Sequence, residues 1–246
     1  IGRGEPVQTL KAVTLLDYDF FALGGFGKYT FTTNYGGVDI LPQQGQSFAW
    51  QQRNWVLKNG TYLAVSSSRS VAPLVNTELL PDYLRKPVSL SITQLSTSAL
   101  DGSTASSEGY VHLADGVDWQ FDPLASFNLT SLKAMYVGGS IIAPGGSLSF
   151  KLRPNYPKNY DPSSALWLGD DAWLSVAGTA VALPGEPNLQ LVKLIDAGRV
   201  SFDLTTGRLI SEEGSGIDLS ATSASVDVLT AGGYERQTRA ANAGTL

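Results

Sequence analysis

His112 is the only histidine among 246 residues, and cysteine is absent. A Ser-His-Asp triad would have to be built on that one imidazole, and thiolate catalysis is removed altogether. Zinc and copper sites, which draw on several His or Cys ligands, are disfavoured for the same reason. His112 stands between Val111 and Leu113. On a strand it faces opposite to both, so it reads as a solvent-facing residue and not as a general base.

The carboxylates come in pairs: Asp17/Asp19, Asp115/Asp118, Asp170/Asp171 and Glu212/Glu213. Two acids can hydrolyse a glycosidic bond when held about 5–5.5 Å apart for retention, or about 6.5–9.5 Å apart for inversion. Neighbours such as Asp170 and Asp171 point to opposite faces of a strand or sit in a turn. Asp115 precedes Gly116 and Asp170 follows Gly169, a composition that turns favour. No residue is therefore assigned a catalytic role, and the chain reads as a non-enzyme. No EF-hand loop or Gly-Gly-x-Gly-x-Asp repeat offers calcium ligands, and no metal site is expected. The glycine pairs at 24–25, 36–37, 138–139, 145–146 and 232–233 lack the strand–GxGxxG–helix setting of a nucleotide site. They read as turns, and no cofactor is expected.

Aromatic side chains are the remaining source of function. The chain has five tryptophans and ten tyrosines, and an exposed flat ring offers apolar contact to the face of a sugar. Most of the tryptophans are expected to fill an interior. Trp167 differs, because Leu166 and Leu168 should point inward and leave it outside. Tyr156 and Tyr160 lie in the loop Pro154–Ser164. Trp167, Tyr156 and Tyr160 are the candidate glycan contacts.

The elements that must carry these residues are strands. Hydrophobic residues make up 43% of the chain and charged ones only 16%, so a packed core is expected under an uncharged polar surface of Ser, Thr, Asn, Gln and Gly. Net charge is −5, and no basic cluster exceeds Arg85-Lys86. Nucleic acid and anionic membranes are thereby disfavoured as partners. No run approaches the roughly 18 apolar residues of a membrane helix. Ile1 begins within a pattern, as though cut from a longer chain.

The chain divides into two regimes. Residues 1–95 form an aromatic-rich β region, either a subdomain packed on the coils of residues 96–246 or continuous with them. Strands are expected at Val7–Leu16, Lys28–Thr33, Ser47–Leu57, Thr61–Val65 and Lys86–Leu95, with Asn59-Gly60 as a hairpin turn. Val75–Leu84 holds the one expected helical turn, limited by Pro81. Residues 96–246 repeat a different grammar, of short apolar alternations broken by Gly, Asp and Ser. Val137–Leu152 shows it, with Ala143-Pro144-Gly145-Gly146 as the corner, and so do Leu166–Gly178 and Leu209–Ala221. The 43-residue step from Leu166 to Leu209 fits two coils of about twenty residues. The 55-residue step from Val111 to Leu166 exceeds it by the loop at 154–164. One coil cannot bury its own apolar residues, but a stack can. The fold expected is all-β: a right-handed parallel β-helix (solenoid) with an irregular β-rich N-terminal portion. Its open ends call for caps.

Four segments, in order, carry a family resemblance. They are Asp19-Phe20-Phe21-Ala22-Leu23-Gly24-Gly25-Phe26-Gly27-Lys28-Tyr29, Leu80–Leu90, Gly139–Gly146 and Gly232-Gly233-Tyr234-Glu235-Arg236-Gln237-Thr238. Together they resemble an internal passenger segment of the filamentous haemagglutinin-like exoproteins, which Gram-negative bacteria export by two-partner secretion. The Asn-Pro-Asn-Leu-type export motif of that family is matched only by Pro187-Asn188-Leu189, a coincidental fit in a loop. The resemblance implies a structural and adhesive segment of a large secreted or surface-exposed protein serving attachment, aggregation or biofilm cohesion. It implies a host-cell or matrix carbohydrate receptor, or neighbouring filaments, as partners, and an outer-membrane transporter for export. The alternatives are a non-catalytic carbohydrate-binding module and, behind it, a carbohydrate-active β-helix enzyme.

Overall fold

Alternation decides which way each strand looks. In Ser89–Gln94, Leu90, Ile92 and Gln94 are buried while the residues between them face out. Ser126–Ser131 and Tyr110–Leu113 keep the same period, as a pleated strand with one covered face requires.

The computed structural model describes residues 14–22, 25–34, 36–43, 45–58, 75–95, 109–153, 164–205 and 207–246. Through these the chain visits three sheets in a fixed order. The first circuit is β1 (Lys28–Thr33), β2 (Val38–Ile40) and β3 (Phe48–Trp50). An antiparallel pair, β4 (Arg53–Leu57) and β5 (Val75–Leu79), lies outside that order. The second circuit is β6 (Ser89–Gln94), β7 (Tyr110–Leu113) and β8 (Asp118–Phe121). The third is β9 (Ser126–Ser131), β10 (Ala134–Val137) and β11 (Ser140–Ile142). The fourth is β12 (Ser147–Leu152), β13 (Ala165–Leu168) and β14 (Trp173–Ser175). A second antiparallel pair, β15 (Thr179–Ala182) and β16 (Val192–Ile195), precedes the fifth: β17 (Arg199–Asp203), β18 (Arg208–Ser211) and β19 (Gly216–Asp218). The hairpin of β20 (Ser223–Thr230) and β21 (Gly233–Ala240) comes last.

The first strands of the five circuits form one five-stranded parallel sheet, the second strands another, and the third strands another. The protein is all-β, with a single five-residue helix, α1 (Tyr18–Ala22), among the described residues.

Stacking places like upon like. Tyr29, Leu90, Phe127, Leu148 and Val200 are successive partners in the first sheet. Phe48, Trp119, Ile141, Leu174 and Ile217 are successive partners in the third. Phe127, Phe150, Leu113, Ile141 and Leu174 are wholly buried, and each such side chain contributes about 1.5–3 kcal/mol by leaving water. Backbone groups find partners in the circuits on either side, which satisfies them without helices.

Toward the first circuit the core becomes aromatic. Trp50 lies nearly parallel to Phe121 at 5.7 Å and edge-on to Trp119 at 5.2 Å. Phe21 of α1 packs on Trp50 at 4.9 Å and on Phe31 at 5.8 Å, so the helix covers this end of the core. Asp17 starts that helix, its Oδ1 accepting the Asp19 N–H at 3.2 Å. At the other end Thr245 pairs in parallel with Arg199 of β17.

Two expectations are corrected. Val75–Leu79 is a strand, not a helical turn, because Asn76 and Thr77 pair across to Val56 and Trp55 of β4. A tertiary partner outweighs the local capping signal, and the one turn lies at the end of the expected span, where Leu84 N–H and Arg85 N–H both donate to Pro81 O, at 2.9 and 3.2 Å. Leu166 pairs directly with Leu209, so 43 residues make one circuit and not two, the excess being taken up by β15 and β16. Val111 reaches Leu166 through Met135, so that 55-residue step contains two circuits. Residues 14–16 carry no strand. Most of the strand expected at Val7–Leu16, the hairpin at Asn59-Gly60 with Thr61–Val65, and residues 154–163 of the loop lie outside the described residues.

Candidate functional site

The second sheet presents its chemistry outward. On β7, Val111 and Leu113 are buried, which turns Tyr110 and His112 to the surface. Strand register then lines up residues far apart in sequence. Asp39, His112, Tyr136, Trp167 and Ile210 form one outward row across β2, β7, β10, β13 and β18. Tyr110, Ala134, Ala165 and Arg208 form a second row beside it. Neighbouring strands lie about 4.8 Å apart, so each row is a ladder with an evenly spaced rung per circuit.

The two rows border an open groove of about 440 Å³. Ala134 and Ala165 make a low floor. Tyr110 and Arg208 stand at its two ends, and His112, Tyr136 and Trp167 make its aromatic wall.

Each polar tip of the wall is anchored by a carboxylate. The Tyr136 hydroxyl donates to Asp115 Oδ1 at 2.7 Å. That bond, then burial, then the charges of Asp115, Glu212 and Asp170 push the phenol up to about 12. Trp167 Nε1–H donates to Glu212 Oε1 at 2.8 Å, which fixes the indole while leaving it 40% exposed. Asp39 serves two rungs: its Oδ2 accepts from the Tyr110 hydroxyl at 3.0 Å, and its Oδ1 lies 3.4 Å from His112 Nδ1. The His112 and Tyr136 rings are 5.2 Å apart. Gly138 and Gly169 leave room for the Tyr136 ring, since a Cβ at either position would collide with it.

Arg208 is different. It is exposed, and among the described residues no carboxylate or side-chain hydrogen bond engages its guanidinium.

Compared with models of protein families, with curated proteins and with solved structures, the chain matches none.

The structure places Trp167 in the aromatic wall, exposed between buried Leu166 and Leu168. Tyr156 and Tyr160 lie outside the described residues. Of the other tryptophans, Trp50 and Trp119 are interior, while Trp55 and Trp173 are exposed. Asp115, Asp170 and Glu212 sit at the corners between the second and third sheets. Asp170 Oδ1 accepts the Asp171 N–H at 3.0 Å, and Gly116 and Gly214 turn the chain with positive φ. Among the described residues no group of three or more His, Asp or Glu side chains could hold a metal, and no serine hydroxyl bonds His112.

Sequence reasoning overlooked Tyr110, Tyr136 and Arg208. Alternation in Ala134-Met135-Tyr136-Val137 is a local signal that would have turned Tyr136 outward. What joins it to His112 and Trp167 is register across circuits, which no local pattern carries.

Proposed function

We propose that this chain is a right-handed parallel β-helix acting as a structural and adhesive segment of a large secreted or surface-exposed exoprotein, of the filamentous haemagglutinin-like kind. The observation that carries the reading is the repeated order of visits: five circuits pass through the same three parallel sheets. A chain wound in this way makes a stiff spacer whose length grows by one strand spacing per circuit. The right hand is that of nearly all parallel crossover connections. Attachment, aggregation or biofilm cohesion would rest on such a spacer and on the side chains it holds at fixed intervals. Export through an outer-membrane transporter to the surface of a Gram-negative bacterium belongs to the same reading.

A second reading, a carbohydrate-binding module without turnover, is favoured by the aromatic wall around Trp167. Neither reading uses a catalytic residue. The Tyr136 proton is held by Asp115 and the phenol is raised to about 12, which unfits it as a base near neutrality.

Beads coated with the chain, scored for adherence to epithelial cells and extracellular matrix, test the adhesive reading. Adherence above that of beads coated with an unrelated all-β protein is the expected result. Equal adherence would reject it.

A further inference from the structure

We propose that the groove on the second sheet binds an oligosaccharide containing uronic acid, with a sugar face stacked on Trp167 and a sugar carboxylate paired with Arg208. The proposal rests on the carbohydrate-binding reading and names its ligand class.

The side chains divide the work. Asp115 and Glu212 are occupied by the Tyr136 hydroxyl and the Trp167 N–H, and Asp39 by Tyr110 and His112. These bonds hold the wall upright while the acids keep their negative charge, so an anion would be held at this groove only through Arg208. Arg208 is the cation at this groove with no carboxylate of its own among the described residues. In a chain of net charge −5, a guanidinium that has no carboxylate among the described residues and shares a groove with an exposed indole selects for an anion that also has an apolar face. A uronic acid has both: its ring carbons pack on aromatic rings, and its planar carboxylate matches the guanidinium fork with two parallel hydrogen bonds. Among the described residues, the small side chains of Ala134 and Ala165 floor the groove between Tyr110 and Arg208. The three strand steps between those two residues span roughly 14 Å, room for a short oligosaccharide lying across the strands.

Isothermal titration of the whole chain with an oligogalacturonate, and with the same oligosaccharide fully methyl-esterified, tests this. The acidic form should bind and the ester more weakly. Hydrogen bonds to a charged group are worth about 1.5–3 kcal/mol, so Arg208→Ala should weaken the acidic form by roughly tenfold or more and leave the ester unchanged. Trp167→Ala should weaken both. Unchanged thermal unfolding of each variant excludes misfolding. Absent binding, equal affinity for acid and ester, or affinity indifferent to both variants would overturn the proposal. Equal binding of acid and ester, lost in Trp167→Ala but not in Arg208→Ala, would overturn the uronate assignment while leaving the carbohydrate-binding reading standing; no binding of either would remove both.

Discussion

Leu124 and Gly145 occupy equivalent places in successive corners, one circuit apart, and both hold a positive φ, 68° and 63°. Each comes directly after a proline, Pro123 or Pro144, in a four-residue turn leading into the first sheet. Ala125 N–H closes one turn on Asp122 O at 3.2 Å, and Gly146 N–H closes the other on Ala143 O at 2.9 Å. Proline sets the first central residue of such a turn and the second needs the left-handed region, where glycine is at ease and leucine is not. The Leu124 N–H reaches across to Pro144 O at 2.9 Å, which ties the two corners together.

From this pairing, Leu124→Gly should stabilise the protein or leave it unchanged. Relief of a left-handed leucine is worth about 1 kcal/mol, set against the apolar contact of a side chain that is half exposed. Gly145→Ala should destabilise, because a Cβ there meets Ile195 Cγ2 and lies 2.8 Å from Asp196 O. Urea unfolding of the two variants should move the midpoint in opposite directions, or only the second midpoint. A loss of stability in Leu124→Gly as large as in Gly145→Ala would refute the account.

Arg85 and Asp122 clasp the N-terminal pair β4–β5 region to the corner after β8. Their side chains are 7% and 5% exposed, with Arg85 NH2 2.8 Å and Nε 3.0 Å from the carboxylate. Arg85 also donates to Leu80 O at 2.7 Å and pairs with Asp82, and the two carboxylates, Asp122 first, raise its pKa. Breaking a buried pair strands the remaining charge, at a cost of roughly 3–5 kcal/mol. Arg85→Met and Asp122→Leu should therefore each cost several kcal/mol, while the double variant costs less than the two added together. Additive losses in a double-mutant cycle would show that the pair is not coupled.

Tyr136 gives the fold a dependence on alkaline pH. Its folded pKa of about 12 exceeds the ordinary 10.0, so the folded state keeps a proton that the unfolded state has lost. The stabilisation is fully present below pH 10.0 and disappears as pH rises through about 12. The bond is partly exposed, so screening holds its worth to about 1 kcal/mol. Subtracting the phenolate absorbance titration of Tyr136→Phe from that of the parent should isolate a late-ionising tyrosine. Asp115→Asn should bring it down toward 10.0. A Tyr136 that ionises with the bulk of the tyrosines in the parent would contradict the arrangement.

How much of this was legible before the structure differs by level. Alternation alone turned Trp167 outward between Leu166 and Leu168, and His112 outward between Val111 and Leu113, because a two-residue period needs no distant information. Circuit length was not legible. Phe127 meets Leu148 after 21 residues, whereas Leu148 meets Val200 after 52, with β15 and β16 between. A spacing of 43 residues therefore fits one circuit with an insertion as well as it fits two without. The groove inherits that ambiguity, since Tyr110, Tyr136 and Arg208 line one groove only once the register is known. The Val75–Leu79 strand was hidden for a related reason: its partner β4 outweighs a local cap.

Gly169 ties the circuit corner to the aromatic wall, and its substitution separates fold from site. A Cβ there would run into the Tyr136 hydroxyl and lie 3.0 Å from Cζ and 3.3 Å from the Gly138 Cα. The backbone of Gly138 cannot yield easily, since its N–H is bonded to Leu113 O at 2.8 Å. The phenol is the softer neighbour, so Gly169→Ala should swing the Tyr136 ring off its bond to Asp115 rather than unfold the stack. Stability should fall by about 1–2 kcal/mol, within the range of small overpacking changes. The late-ionising tyrosine should vanish from the alkaline titration. Adding Tyr136→Phe, which removes the colliding oxygen, should recover part of the lost stability. If the double variant is no more stable than Gly169→Ala alone, the collision lies with the backbone and the wall is not what Gly169 accommodates.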